Sequence, residues 1–174
     1  MSLQTKVTQT PNVAIFCRNH PKYLEHAAKI GAELPERPIT FRSSTVWKSG
    51  EVAVDVHGPR KIYFIPVGET VLIKYEATLE KVVLYPEPSA RETKELLDNC
   101  LPETRNEGLW EQDGKAVRTL YVISHCREPA TPFPYTALTK LSNGLHIDEN
   151  YGYSYSVVYE YCSECKRSPC RCSN

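Results

Sequence analysis

Apolar residues along the chain fall into short runs and alternations, with few long helical stripes. Residues 12–17 (NVAIFC) form an apolar run broken by nothing charged, the pattern of a buried strand. Past His20-Pro21 the period changes. Tyr23, Ala27 and Ile30 share one helical face with Leu24 and Ala28 beside them, and Gly31 predicts the end of that helix. After the proline bracket at 35–38, residues 39–47 (ITFRSSTVW) read as extended. Residues 51–56 (EVAVDV) alternate apolar with acidic positions, as a half-buried strand does. Residues 61–66 (KIYFIP) predict a third strand, and residues 71–85 (VLIKYEATLEKVVLY) a long β stretch bending once near Ala77. Ser89 followed by Glu92 is a capping box. It opens a helix whose Leu96, Leu97, Cys100 and Leu101 form an apolar stripe stopped by Pro102.

In the second half, residues 102–115 are a polar loop carrying one large aromatic, Trp110, and residues 116–127 (AVRTLYVISHCR) predict a strand. Proline turns and a short helical piece around Leu138 fill residues 129–150. Residues 151–162 have the cleanest period of two. Tyr151, Tyr153, Tyr155, Val157, Tyr159 and Tyr161 fall on one face, and Gly152, Ser154, Ser156, Val158 and Glu160 on the other. No internal repeat of solenoid or propeller length is present. The sum predicts an α+β fold: a mostly antiparallel, barrel-like sheet with two or three peripheral helices, near residues 21–30 and 89–101. One domain spans residues 1–161, and a cysteine-rich tail spans residues 162–174.

Composition narrows the function classes. A chain of 174 residues with 41% hydrophobic and 24% charged residues is an ordinary single globular domain, which excludes disorder for most of it. Twenty-one basic and 21 acidic residues cancel, so any contact with a polyanion must come from a local patch. No apolar run reaches the length of a membrane span, and the first ten residues (MSLQTKVTQT) lack the apolar core of a signal peptide. A soluble, cytoplasmic protein is expected. Seven cysteines argue against a secreted disulfide framework.

Four of those cysteines crowd the tail as Cys162-x2-Cys165-x4-Cys170-x-Cys172. A C-x2-C knuckle lets two thiolates reach one tetrahedral Zn²⁺, which predicts a structural zinc site. The four-residue spacer is short for one ion held by all four thiols, so Cys17-x2-His20 is a second source of ligands, carried to the tail if the first and last strands are neighbours. A loose tail with free thiols, or a disulfide, are the competing readings. Lys166, Arg167 and Arg171 make a small basic knob there, suited to phosphate contacts or to simple solvation. The tyrosine face suits core packing, or stacking of bases as in RNA-binding sheets. Trp47 and Trp110 stand in polar stretches. With Arg42, Ser43 and Ser44 they are candidates for a pocket that clasps a planar ligand, or else lids over the ends of the core. In Ser124-His125-Cys126, neighbours on a strand point to opposite faces, so His125 is a poor base for either. No Rossmann, Walker, nucleophile-elbow or H-E-x-x-H motif occurs.

The residues Gly68, Glu69, Val71, Ile73, Tyr75, Ala77, Leu79 and Val82, with weaker echoes at Thr119-Leu120-Tyr121 and Pro134-Tyr135, resemble the PUA-like β-barrel superfamily and its ASCH and EVE branches. Across residues 12–161 the resemblance implies a pocket between barrel and helices for a nucleotide or modified base, often flipped from its strand. Trp47, Trp110 and residues 42–44 are placed there by location, with the basic tail on the backbone. The expected function is non-catalytic nucleic-acid recognition. A second resemblance offers an enzyme instead. Residues 20–41 and 75–79 are similar to the early part of fumarylacetoacetate-hydrolase-like enzymes, which use Mg²⁺ on diketo acids. That family's Glu-x-Glu ligand pair is replaced here by Glu76 and Thr78. A zinc-stapled protein-interaction module is the third alternative.

Overall fold

The computed structural model describes residues 12–69, 71–85, 89–152 and 154–172. The polar N-terminal segment and Tyr153 of the aromatic alternation lie outside the described residues. The elements run β1 (Val13–Asn19), α1 (Pro21–Glu33), β2 (Ile39–Ser43), α2 (Lys48–His57), β3 (Arg60–Pro66), β4 (Leu72–Ile73), β5 (Tyr75–Leu84), α3 (Ala90–Asp98), β6 (Glu111–Gln112), β7 (Lys115–Ala116), β8 (Thr119–Arg127), β9 (Phe133–Pro134) and β10 (Tyr155–Tyr159). Short 3₁₀ helices occupy Pro102–Glu107 and Tyr135–Ala137. Among the described residues no helix is long and apolar enough to cross a membrane.

The fold is α+β, built on one six-stranded mixed sheet in the order β10-β1-β3-β5-β8-β2. β1 and β3 are parallel and the other neighbours antiparallel. The sheet stays open, against the expectation of a barrel, because each edge finds another partner. Thr40 of β2 donates its backbone N–H to Asn99 O at 2.9 Å, and residues 139–141 line the outer edge of β10 through Leu141 N–Val157 O (3.0 Å) and Tyr159 N–Thr139 O (2.9 Å). A partly covered edge is blunted against pairing with a further strand.

Both faces of the sheet are covered, which explains the apolar run of β1. Val13, Ile15 and Cys17 pack with Ile62, Phe64, Leu79 and Tyr121 under α1 and α2. Ala14 and Phe16 turn the other way, with Tyr63 and Ile65, onto Phe133, Tyr135, Leu138 and Ile147. Farther along that second face, Leu120 and Val122 meet Leu96 of α3, Leu109 and Val117.

Three local expectations are corrected. Residues 51–56 are helical, part of α2: Gly50, Ala53 and Val54 are its buried residues, at helical spacing, while Val52 and Val56 of the apparent alternation are exposed. A six-residue window is too short to separate the two periods. α1 continues past Gly31, because Gly31 serves as a contact point. A Cβ there would stand 2.1 Å from Cys126 O, so the missing side chain lets α1 settle on β8. α3 opens as expected, with Ser89 Oγ accepting from Glu92 N at 3.4 Å, but ends at Asp98, leaving Cys100 and Leu101 buried outside it.

Candidate functional site

The tail folds into a compact thiol cluster. The sulfurs of Cys162, Cys165, Cys170 and Cys172 all lie within 4.8 Å of one another, with Cys162–Cys172 at 3.7 Å and Cys165–Cys170 at 3.9 Å. Four thiolates ~2.3 Å from one tetrahedral ion stand ~3.8 Å apart along each edge. The spacer is therefore long enough. Lys166 takes a left-handed φ of 56°, and Cys162 N donates to Arg167 O at 2.9 Å, turning the chain back within the knuckle. Backbone N–H groups of Arg171 and Cys172 point at the sulfurs of Cys165 and Cys170, each at 3.4 Å. The Arg171 amide, helped by the neighbouring thiols, holds Cys165 down to about 6, whereas hydrogen bonding to Cys170, Cys162 and Cys165 pushes Cys172 well up. Buried Ser168 anchors the knuckle to the body, donating to Tyr159 O (2.5 Å) and accepting from Thr139 N (3.0 Å). The donor set fits a thiophilic metal ion, with every tetrahedral position taken by protein.

Cys17 and His20 are not part of the cluster. β1 and β10 are neighbours, as that assignment required, but antiparallel, with Val13 opposite Tyr159 and Cys17 opposite Tyr155. The tail therefore leaves at the Val13 end, ~13 Å of strand away from Cys17 and farther from His20. Cys17 is buried, its thiol pushed up to about 12 by desolvation. His20 is exposed at the start of α1, edge-on to Tyr23. The knob residues Lys166, Arg167 and Arg171 are exposed on the cluster itself.

At the other end of β1 lies a polar cavity of about 350 Å³, bounded by the ends of β1 and β2 and by the β6–β7 hairpin. Its lining includes Arg18, Arg42, Ser43, Ser44, Lys115 and Ser154. Arg42 is only 9% exposed, and it donates through Nε to Leu109 O (3.0 Å) and through Nη2 to Gly108 O. Half-buried Arg18 donates to Tyr151 O (3.3 Å) and lies over the Tyr135 ring at 5.5 Å. Among the described residues, Arg18, Arg42 and Lys115 are in no ion pair. Asp113 (φ 52°) and Gly114 (φ 71°) form the two-residue turn that brings Lys115 to the rim.

The structure brings Arg42, Ser43 and Ser44 together as anticipated but separates them from both tryptophans. Trp47 is fully buried, sandwiched between Tyr121 (4.4 Å between centroids) and Tyr155 (4.8 Å), and its Nε1 has no partner among the described residues. It is a lid on the core at the entry to α2. Trp110 packs on the α3 cluster, edge-on to Tyr85 at 5.5 Å. Among the described residues no Trp, Tyr or Phe lines the cavity, which offers cations, hydroxyls and the His20 imidazole. Arg18 and Lys115 were missed in the sequence. Their signals were a cation ending a buried run and a cation following Asp-Gly.

His125 differs from expectation. Its φ of 54°, at an irregularity in the β5–β8 register, brings Nδ1 within 2.8 Å of Ser124 Oγ. The hydroxyl also contacts the Glu80 carboxylate, so serine lies between acid and imidazole, and among the described residues no carboxylate is hydrogen-bonded to His125. Cys126 points into the core, its thiol raised to about 12 by burial. Glu76 is held by Arg127 Nη2 at 2.9 Å. Compared with family models, curated proteins and solved structures, the chain matches none of them.

Proposed function

We propose that the chain is a non-catalytic nucleic-acid-binding module, whose cavity at the end of β1 takes the phosphate-bearing part of a strand and whose tail holds one structural Zn²⁺. One observation carries the nucleic-acid reading: two guanidinium groups, one buried and one half-buried, line the same cavity without a carboxylate partner among the described residues. A desolvated cation without a counterion is costly, and an anionic ligand offsets that cost. The cavity size suits a nucleotide unit, at the lower end of the ~300–1,000 Å³ range of ligand sites. The PUA-like resemblance of residues 68–82 supports the same class, with phosphate contacts made by these cations. Bound zinc would tie the tail to the end of β10, and with four thiolate ligands it leaves no open position for catalysis.

The test is titration of the full chain with a single-stranded oligonucleotide at low and high salt, with elemental analysis of protein purified under reducing conditions without a metal-chelating tag. Salt-sensitive binding and one zinc per chain are expected. Absence of binding even at low salt, where phosphate contacts are strongest, removes the nucleic-acid reading. That outcome would favour the protein-interaction module, which has its own support: an apolar groove of about 830 Å³ between α2 and β10, lined by exposed Val52, Val56 and Leu141.

A further inference from the structure

We infer that the cavity selects the end of a strand, binding a terminal phosphate monoester in preference to an internal phosphodiester; this rests on the nucleic-acid reading of the same cavity. Charge makes the distinction. Among the described residues of the lining, Arg18, Arg42 and Lys115 outnumber the one carboxylate, Asp113, whose backbone N–H donates to Glu107 Oε1 at 3.0 Å behind it. An internal diester supplies one negative charge, whereas a monoester supplies about 1.5 to 2 at pH 7 and a third terminal oxygen to accept hydrogen bonds. Neutral donors in the lining include the hydroxyls of Ser43 and Ser44 and the amide of Gln112, while the Ser154 hydroxyl already bonds Thr45 Oγ1 at 2.7 Å.

Preorganisation points the same way. Backbone carbonyls hold both guanidinium groups from outside the cavity, Tyr151 O for Arg18 and Leu109 O and Gly108 O for Arg42. Each guanidinium has five N–H donors, and these bonds use at most two of them, so the fork keeps donors for a phosphate. Side chains fixed beforehand lose less entropy on binding. His20, the residue before the 13-residue helix α1, also lines the cavity, so the positive end of that helix adds to the same potential.

The experiment uses the full chain and one short single-stranded sequence made in three forms: 5′-phosphate, 3′-phosphate and hydroxyl at both ends. Fluorescence anisotropy at fixed salt is expected to give binding at least ~10-fold tighter for a phosphorylated form than for the hydroxyl-ended form, and inorganic phosphate should compete. Lys115→Met, at an exposed position with no role in the core, and Arg18→Met should each reduce that preference severalfold while circular dichroism stays unchanged. Equal affinity for all three forms overturns the end-selective inference and leaves the nucleic-acid reading standing. No binding of any form overturns both. A preference that survives unchanged in both variants overturns the cavity as its seat.

Discussion

The two ends of β1 gather functional groups by opposite means. At the Val13 end, four thiols come together within eleven residues of chain, folded back on themselves by one left-handed residue and backbone N–H groups aimed at sulfur. At the Asn19 end, three cations arrive from positions 18, 42 and 115, carried by three separate parts of the sheet and its hairpin. The first arrangement is local and coded by spacing. The second exists only once the strand order β10-β1-β3-β5-β8-β2 has formed. A local cluster tolerates changes elsewhere in the sheet, whereas the cavity depends on every element that bounds it.

That contrast can be broken first at the cluster. Cys162→Ser should take the protein from one zinc per chain to little or none, since structural zinc sites with cysteine ligands are worth about 10–16 kcal/mol of apparent binding energy at pH 7. Oligonucleotide affinity should hardly move, because the ends of β1 are ~20 Å apart. Metal analysis and anisotropy on the same sample check both halves. A joint loss would mean that the two ends are coupled.

Trp47→Ala comes next, with an expected cost of about 3–5 kcal/mol in denaturant unfolding. The ring is fully buried between Tyr121 and Tyr155, so its loss leaves a cavity in the core. Unchanged stability with lost oligonucleotide binding would restore Trp47 to a ligand pocket.

Thiol counting sharpens the comparison at smaller scale. After chelation, the four tail cysteines should react with a thiol reagent in the folded protein, Cys165 fastest and Cys172 slowest because their neighbours pull the first thiol down and push the second up, while buried Cys17, Cys100 and Cys126 react only on unfolding. Burial pushes Cys17 and Cys126 up to about 12, so their thiolate forms are scarce below that pH as well as shielded. Four thiols reactive in the folded protein and three reactive only on unfolding are the expected counts. The smallest effect belongs to the basic knob. Lys166→Ala and Arg167→Ala should weaken oligonucleotide binding by less than Arg18→Met does, within about 0.5 kcal/mol, as for exposed charges remote from a site.

Legibility in the sequence followed the same division between local and long-range order. The Cys162-x2-Cys165 knuckle and the crowding of Cys170 and Cys172 marked the cluster, although the short spacer pointed wrongly to Cys17 and His20 for ligands, and the Ser89 cap of α3 was legible from a three-residue spacing. α2 was misread because a short apolar and acidic alternation satisfies both periods, and only burial of Gly50, Ala53 and Val54 decides between them. Polar flanks made Trp47 look like a ligand contact, yet the flanks lie outside the core and the ring reaches inside it. Arg42 was identified in a serine-rich segment. Its partners Arg18 and Lys115 stand 24 and 73 residues away, and no local pattern records that the sheet will join them.

The central claim is that cations at the Asn19 end of β1 contact nucleic-acid phosphates. It is tested most directly by the salt dependence of oligonucleotide affinity in wild-type protein and in Arg18→Met. A slope of log affinity against log salt that becomes shallower by about 0.7 in the variant, the value for one lost single-strand phosphate contact, is the predicted result. An identical slope in the two proteins would contradict it.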